Sequence, residues 1–237
     1  MKLGGGFWWP ELHLQQNGLG AIGVNAVIVS QIQECVKLAQ LVPKARRHTC
    51  VQAGGNIGVF PKTLSSWFQS VITFEPDPEN WECLVKNLDG TTNVKCVPAA
   101  LGHKNGTADL LHHIEHSGRS HLIRPGAYNA QLLKNDGYRT HTTTVDVIQL
   151  DNLSFISCDL LQLDVEGFEL YAIRGAVDTI AKHRPVIVCE IIADCVGRHG
   201  STKEAIDLEL AGLGYVCEPT RTINSHNYVF RHKDHPL

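Results

Sequence analysis

Short hydrophobic runs alternate along the chain with longer stretches in which hydrophobic residues recur every three or four positions. The runs 50-CVQA-53 and 71-VITFE-75 are typical of short strands that are buried on both faces. The segment 76-PDPENWECLVKNL-88 begins with prolines suited to a first helical turn and places its hydrophobic residues on one helical face. Strands alternating with helices at this spacing predict βαβ units, and hence a mostly parallel sheet with right-handed crossovers.

This pattern predicts the secondary structure of most of the chain. The predicted core strands cover residues 50–53, 71–75, 94–100, 159–165, 186–191, 215–218 and 227–232. The predicted helices cover residues 27–41, 59–68, 76–88, 168–182 with a division around Gly175, and 202–213. Two further strands, at residues 106–114 and 140–150, belong to a local insertion. We therefore expect one α/β domain at residues 45–237 and an amino-terminal aromatic and helical appendage at residues 1–44.

The appendage contains 4-GGGFWWPE-11, which has two adjacent tryptophans and a phenylalanine outside the core pattern. These aromatic side chains could close over a substrate pocket, pack on the sheet edge or form a dimer contact. Because large aromatic residues are seldom left exposed, we expect them to pack into the core.

Composition and charge describe an ordinary globular protein. Its 237 residues are 43% hydrophobic and 19% charged, which suits one domain with a sizeable core. The net charge of −3 argues against a broad nucleic-acid surface. A local basic cluster at Lys44, Arg46 and Arg47 is interpreted as a solvated helix end. We expect neither a signal peptide nor a membrane span.

Cysteine and histidine usage adds no metal site. The eight cysteines are spread singly, several inside hydrophobic runs such as 186-VIVCEII-192, and none forms a Cys-x-x-Cys pair. We therefore expect reduced thiols and a cytoplasmic location. Among the thirteen histidines, the group that invites a metal proposal has no compact ligand spacing, so we expect solvated side chains in a flexible lid. This group is His112, His113, His116 and His121.

The turn in 51-VQAGGNIGVF-60 has the residues that a ligand-binding strand end requires. Gly54 can adopt positive φ, Gly55 or Asn56 lets the backbone approach a ligand, and Gly58 permits close packing where a helix opens. Such turns serve many nucleotides and sometimes none. Glu75 lies about twenty residues farther on, at the end of the next strand, where a carboxylate can accept hydrogen bonds from ribose hydroxyls.

Five segments together resemble the FkbM-type S-adenosylmethionine-dependent methyltransferases. They are AGGNIG, TFEPDPENWECLVKN, 99-AALGHKNGTADL-110, 160-LLQLDVEGFELYAIRGA-176 and 184-RPVIVCEI-191. The resemblance extends in order from about residue 48 to 231, and FEPDPEN and LDVEGFE are its most specific parts. It implies the class I methyltransferase fold, a Rossmann-like α/β fold with helices on both faces of a mostly parallel seven-stranded sheet and an antiparallel edge.

The implied reaction is methyl transfer from S-adenosylmethionine to an oxygen of a sugar or another small molecule. By the resemblance, Gly54, Asn56 and Gly58 line the methionine portion, Glu75 holds the ribose and Ala100 lies near the adenine. The full set of implied cofactor-binding residues is Gln52, Gly54, Gly55, Asn56, Gly58, Glu75, Pro76 and Ala100.

Gln52 departs from the family pattern, since many members have an Asp at this position. A glutamine offers an amide oxygen as an acceptor but no charge to attract the cofactor's ammonium group. We therefore expect weakened cofactor binding, and we expect Gln52→Asp to tighten it.

Transfer to a hydroxyl needs an aligned nucleophile and usually a base. Asp164 is the first candidate, because the resemblance puts it beside the sulfonium methyl, and Glu190 and Glu166 are the others. These carboxylates could instead bind a divalent cation that lowers the pKa of a hydroxyl. We interpret Glu169 as a solvated helix cap. Four residues of the expected lid could recognise the acceptor: Arg119, His121, Arg124 and Tyr128.

Two other classes of function remain open. A non-catalytic binding or assembly protein that retains the fold is suggested by Gln52 and the aromatic appendage. A Rossmann-type oxidoreductase is disfavoured by the turn and by FEPDPEN, and binding of NAD would reverse that choice. The sequence does not specify the acceptor or the oligomeric state.

Overall fold

A computed structural model describes residues 1–10, 21–113, 117–123, 140–218 and 226–235. The strands are β1 (Lys2–Gly4), β2 (Phe7–Trp9), β3 (Thr49–Ala53), β4 (Ser70–Phe74), β5 (Val94–Val97), β6 (Ala100–Leu101), β7 (Gly106–His113), β8 (His121–Ile123), β9 (Thr140–Ile148), β10 (Leu160–Leu163), β11 (Val186–Glu190), β12 (Tyr215–Cys217) and β13 (Asn227–His232). The helices are α1 (Ala21–Gln40), α2 (Val59–Ser65), α3 (Pro78–Asn87), α4 (Glu169–Arg174), α5 (Val177–His183), α6 (Ala193–Arg198) and α7 (Lys203–Gly212).

The main sheet has seven strands in the order β12-β13-β11-β10-β3-β4-β5. The five strands from β11 to β5 are parallel, whereas β13 runs antiparallel to β11 and to β12. Ala53 aligns with Leu163 on one side and with Phe74 on the other, so β3, β4 and β10 end together. The expected fold class, with its antiparallel edge, is confirmed.

Alternation along the central strands divides the core between the two faces of the sheet. Val51 and Leu161 pack with residues of α4, α5 and α7 on one face. Cys50 and Leu160 pack with residues of α1 and α2 on the other. Because side chains alternate along a strand, Gln52 lies on the same face as Cys50. Both faces are covered, as parallel sheets require.

A second sheet, of four strands in the order β6-β9-β7-β8, forms the insertion. Strands β7 and β9 were expected from the sequence, whereas β8 was not. The predicted strand at residues 94–100 is too long, since β5 ends at Val97 and Ala100 belongs to β6 of the second sheet. The predicted division of the helix around Gly175 is confirmed, because Gly175 lies between α4 and α5.

The expectation of solvated histidines is wrong for His112 and His113. Their exposed fractions are 3% and 4%, and both residues pair with β9, opposite His141 and Thr140. The His112 ring contacts Asp77 through Nδ1 and Thr143 through Nε2, at 2.9 and 2.6 Å. His116 lies outside the described residues.

The amino-terminal hairpin packs into the core, as expected for its aromatic residues. Phe7 and Trp9 are buried in a cluster with residues of α1 and the start of α2. Asn87, at the end of α3, accepts a hydrogen bond from Trp8 N at 2.7 Å and donates to Trp8 O at 2.8 Å. The Asn87 amide also donates to Ile57 O at 2.7 Å, so it joins the hairpin to the turn after β3.

All eight cysteines are free thiols. Within the described ranges, no helix combines the length and the hydrophobicity that crossing a bilayer would demand.

Candidate active site

The glycine turn after β3 is fixed by its neighbours on both sides. The amides of Gly54 and Gly55 both donate to Phe74 O, at 3.0 and 2.9 Å. Gly54 has φ of +88°, and a Cβ there would lie 1.9 Å from the carbonyl oxygen of Asp164. Only glycine fits this position, since the backbone after β10 passes directly against it.

Glu75 is tied to the same turn from the end of β4. Its Oε2 accepts a hydrogen bond from Asn56 N at 2.6 Å, and its Oε1 accepts one from Asp77 N at 2.9 Å. The carboxyl is only 5% exposed. Burial, reinforced by the charge of Asp77, raises the pKa of Glu75 to about 8. Asn56 has φ of +46°, which turns its amide towards this carboxyl.

Asp77 has a structural role, because it is the N-cap of α3. Its side chain accepts hydrogen bonds from the amides of Glu79 and Asn80. Burial, the largest single influence, pushes the pKa of Asp77 up, but the hydrogen bond and the charge of His112, together with hydrogen bonds from Ser120 and the Glu79 amide, lower the pKa overall. Asp77 therefore links α3 to the second sheet.

A cleft runs along this edge of the sheet and holds about 930 Å³ of space, including its open mouth. Its floor is the glycine turn, its side walls come from the ends of β4 and β10, and the second sheet covers part of it. Lining residues include Trp9, Gln31, Gly54, Gly55, Asn56, Glu75, Pro76, Ala99, Ala100, Leu101, Ser120, His121, Asp164, Glu166 and Phe168.

Most of the predicted cofactor residues line this cleft, but Gln52 and Gly58 are outside its lining. Gln52 is fully buried; its Nε2 donates to Gly54 O at 2.8 Å, and its Oε1 accepts from the Thr73 hydroxyl. The expected cofactor contact of Gln52 is therefore corrected to a supporting role beneath the turn. Gly58, with φ of +97°, is the N-cap of α2.

Three carboxylates converge beside the turn: Asp164, Glu166 and Glu190. One oxygen from each lies within 4.8 Å of the others. Asp164 follows β10 and its amide donates to Ala53 O at 3.1 Å, so the side chain starts at the sheet edge. Glu190 ends β11 and lies behind the cleft lining. The structure thus brings together the three residues that the sequence nominated.

Mutual repulsion and burial control the protonation of this carboxylate cluster. Burial, followed by the charges of Glu190 and Glu166, raises the pKa of Asp164 well above its usual value. Burial and Glu190 also raise the pKa of Glu166 to about 7.

The turn that carries Glu166 has a constrained backbone. Glu166 has φ of +54°, and a Cβ at Gly167 would lie 2.2 Å from the carbonyl oxygen of Cys195. Glu169 holds this turn, because its Oε1 accepts from the amides of Val165 and Gly167 at 3.1 and 3.2 Å. Glu169 is 1% exposed, so its expected solvation is wrong, although it does cap backbone amides.

The acceptor residues expected in a lid are placed only in part. His121 lines the cleft from β8, and Arg119 is exposed just before it. Arg124 and Tyr128 lie outside the described residues.

Trp9 and Gln31 also line the cleft, although neither was nominated as a site residue from the sequence. Trp9 belongs to the aromatic segment 4-GGGFWWPE-11, and closure over a substrate pocket was one of the three alternatives considered for that segment. Gln31 is a polar residue within α1, and nothing in its pattern distinguishes it from a solvated helical glutamine.

The strand order, the glycine turn and the acid after β4 define a class I methyltransferase. The sequence profile of the methyltransferase FkbM domain matches residues 52–217, which is more than half of the chain. The chain therefore belongs to the FkbM family of S-adenosylmethionine-dependent methyltransferases. No curated protein matches the sequence significantly.

Solved structures share the fold at low sequence identity. A methyltransferase FkbM from Methylobacillus flagellatus KT is 16% identical with a TM-score of 0.50, and the match covers 79% of this chain and 44% of that one. This chain therefore spans less than half of that protein's length. An rRNA methylase from Streptococcus thermophilus is 13% identical with a TM-score of 0.45, covering 85% of this chain and 95% of that one.

Proposed function

We propose that this protein transfers the methyl group of S-adenosylmethionine to a hydroxyl oxygen of a sugar or another small molecule. The observation that carries the proposal is that one cleft is lined both by the glycine turn with its buried acid, Glu75, and by Asp164 and Glu166 of the carboxylate cluster.

The glycine turn and the residues around it fit the cofactor. Each oxygen of Glu75 accepts one backbone amide, and a carboxylate oxygen has room for a second donor such as a ribose hydroxyl. The backbone of Gly54, Gly55 and Asn56 is open to a ligand along the cleft floor, and Ala99 to Leu101 offer a hydrophobic wall for a ring. S-adenosylmethionine supplies an electrophilic methyl group on its sulfonium when bound.

The carboxylate cluster fits an acceptor hydroxyl. Asp164 and Glu166 line the cleft, and either carboxylate can accept the hydroxyl's proton when it is ionised. Burial and neighbouring charges raise the pKa of both carboxyls, which makes their ionised forms stronger bases. Direct base action is the mechanism we favour, and a divalent cation held by the same carboxylates is the alternative.

Calorimetric titration with S-adenosylmethionine, S-adenosylhomocysteine and NAD tests the cofactor. We expect both S-adenosyl compounds to bind and NAD not to bind. Binding of NAD alone would favour an oxidoreductase, and binding of none of the three would favour a non-catalytic assembly protein.

A transfer assay tests the oxygen acceptor. The protein is incubated with ¹³C-methyl-labelled cofactor and fractionated small molecules and glycans, and the product is examined by NMR. We expect the methyl resonance of a methoxy group. An N-methyl or S-methyl resonance would overturn the proposal for oxygen while leaving the methyltransferase intact.

Free thiols also bear on where the reaction takes place. None of the eight cysteines is in a disulfide bond, and six of them are buried as small hydrophobic residues. Unpaired cysteines are typical of reducing compartments, so we propose a cytoplasmic enzyme.

A further inference from the structure

We propose that the acceptor carries an anionic group, a carboxylate or a phosphate, and that Arg119 and Arg198 bind this group at the mouth of the cleft. The inference rests on the proposed function, because it names the class of acceptor for the same site.

Both arginines lie next to residues of the cleft. Arg119 ends a 3₁₀ turn (Ser117–Arg119) and directly precedes Ser120 and His121, which line the cleft. Arg198 ends α6, the helix that follows β11 and its terminal Glu190. The charges of both guanidinium groups act on Glu166, whose pKa they lower against the larger effect of burial. Both therefore lie within electrostatic reach of the carboxylate cluster.

Neither guanidinium group has a carboxylate partner among the residues that the structure describes. The Nδ1 atom of His121 lies 3.0 Å from the carbonyl oxygen of Arg119 and 3.5 Å from Nη1 of Arg198. A carbonyl oxygen only accepts, so His121 Nδ1 must carry the proton in the shorter contact. The longer contact then offers Arg198 no acceptor, and none of the described residues forms an ion pair with its guanidinium group.

The chemistry of the pair suits an anion. A guanidinium group presents planar donors that match a carboxylate or phosphate in a two-bond arrangement. Among the described residues Glu166 forms no ion pair with an arginine, and its Oε2 accepts from the Cys195 thiol at 3.5 Å.

One aromatic residue near the carboxylate cluster, Phe168, lines the cleft two positions after Glu166. Its ring stacks on Tyr171 with ring centres 4.5 Å apart and meets His199 edge-on at 5.2 Å. A ring compound in the cleft can contact Phe168 while its charged group reaches the arginines. Sugar acids and sugar phosphates combine these two features, and neutral sugars have only the first.

The test compares matched neutral and charged sugars on protein saturated with S-adenosylhomocysteine. Glucose and galactose are titrated against glucuronate, galacturonate and glucose 6-phosphate, with binding followed by NMR saturation transfer and calorimetry. We expect at least one charged sugar to bind about tenfold more tightly than its neutral counterpart or better. The sugar acids and the phosphate ester distinguish the two sources of negative charge.

Variants test whether the two arginines cause the preference for charged sugars over neutral ones. Arg119→Gln and Arg198→Gln should each remove most of the preference for charge while leaving the affinity for S-adenosylhomocysteine unchanged. Arg174→Gln is the matched control, because Arg174 is also exposed but pairs with Glu209 at 2.8 Å. This control should keep the preference.

Two failures have different meanings. If wild-type protein does not bind S-adenosylhomocysteine, the proposed function fails and this inference fails with it. If the cofactor product binds but charged sugars bind no better than neutral ones, or if the two variants keep the preference, only this inference is overturned.

Discussion

The amide of Asn56 donates to Glu75 Oε2 at 2.6 Å, so the glycine turn and the acid after the next strand form one structural unit. The turn is also held by the two amides that donate to Phe74 O. Asn56 adopts a left-handed conformation that a non-glycine residue rarely takes, and the carboxyl partner compensates for it. Changes at Glu75 therefore act on the turn as well as on a bound ribose.

Glu75→Ala should weaken binding of S-adenosylhomocysteine by on the order of 1.5–3 kcal/mol, since paired hydrogen bonds to a ribose are lost. Calorimetry gives the affinity, and thermal unfolding shows whether the fold is kept. Asp77→Ala is the control, and it should mainly lower the melting temperature, because it removes the N-cap of α3 and leaves His112 without its buried partner. Equal affinities for wild type and a folded Glu75→Ala would remove Glu75 from the cofactor site.

Asp164→Asn should lower turnover by on the order of 10²–10⁴-fold, because the amide keeps the shape of the side chain but cannot accept a proton. Affinity for S-adenosylhomocysteine and the melting temperature should change little. The measurement is single-turnover methyl transfer to the acceptor that the transfer assay identifies. Near-normal turnover would leave Glu190 as the next candidate base.

Chelation separates the two mechanisms open to the carboxylate cluster. If a bound cation activates the hydroxyl, activity falls on treatment with a chelator and returns with magnesium or manganese. We expect activity to be indifferent to both treatments, as direct base action requires.

Glu166→Gln should raise stability more at pH 8 than at pH 5. The pKa of Glu166 is raised from 4.5 to about 7, so the unfolded chain loses this proton first as the pH rises. Between these values the folded state holds more protons, and its stability falls as the pH rises. The variant lacks this carboxyl, so its stability does not fall in this way. Its melting temperature should rise relative to that of wild type by a few degrees at the higher pH, roughly 2–4 °C per kcal/mol. Asp146→Asn, at an exposed position of β9, should show no such trend.

Gln52→Asp should destabilise the protein and should not tighten cofactor binding. The structure reverses the sequence-based expectation, because the Gln52 amide both donates to Gly54 O and accepts from Thr73. An ionised aspartate cannot donate, and its charge would be buried without a partner. Thermal unfolding and calorimetry are the measurements. A stable variant with higher affinity would restore the original interpretation.

Trp9→Phe should weaken binding of S-adenosylhomocysteine several-fold and reduce the quenching of tryptophan fluorescence that the ligand causes. Trp9 lines the cleft and is buried, so phenylalanine removes contact area while keeping most of the packing. Trp8→Phe is the control, because Trp8 lies outside the cleft lining. If both variants bind and quench as wild type does, the hairpin does not contact the ligand.

The central strands and their helices could be predicted because each carries its signal locally. Runs such as 160-LLQL-163 are hydrophobic on both faces, and the acids that end adjacent parallel strands must meet at one edge of the sheet. The convergence of Asp164 and Glu190 follows from that rule. The orientation of Gln52 also follows from strand alternation. Its neighbours Val51 and Ala53 pack in the hydrophobic core on one face of the sheet, so Gln52 must lie on the other face.

The missed features depend on distant partners. Strand β8 has three residues, which are too few to show the alternation of hydrophobic and polar positions typical of a strand. It is stabilised by its pairing with β7. His112 is polar, and its burial depends on Asp77 and Thr143, 35 and 31 residues away. Trp9 reaches the cleft because the hairpin docks on α3, a contact that hydrophobicity alone does not specify.

Asn87 uses the amide of one side chain to hold two separate parts of the backbone. It accepts from Trp8 N and donates to the carbonyl oxygens of Trp8 and Ile57. One acceptor and two donors at this reach are the hydrogen-bonding pattern of asparagine; aspartate, threonine and leucine each lack part of it. The identity of residue 87, inside the methyltransferase domain, is therefore matched to the hairpin at Trp8, which lies 79 residues earlier in the chain.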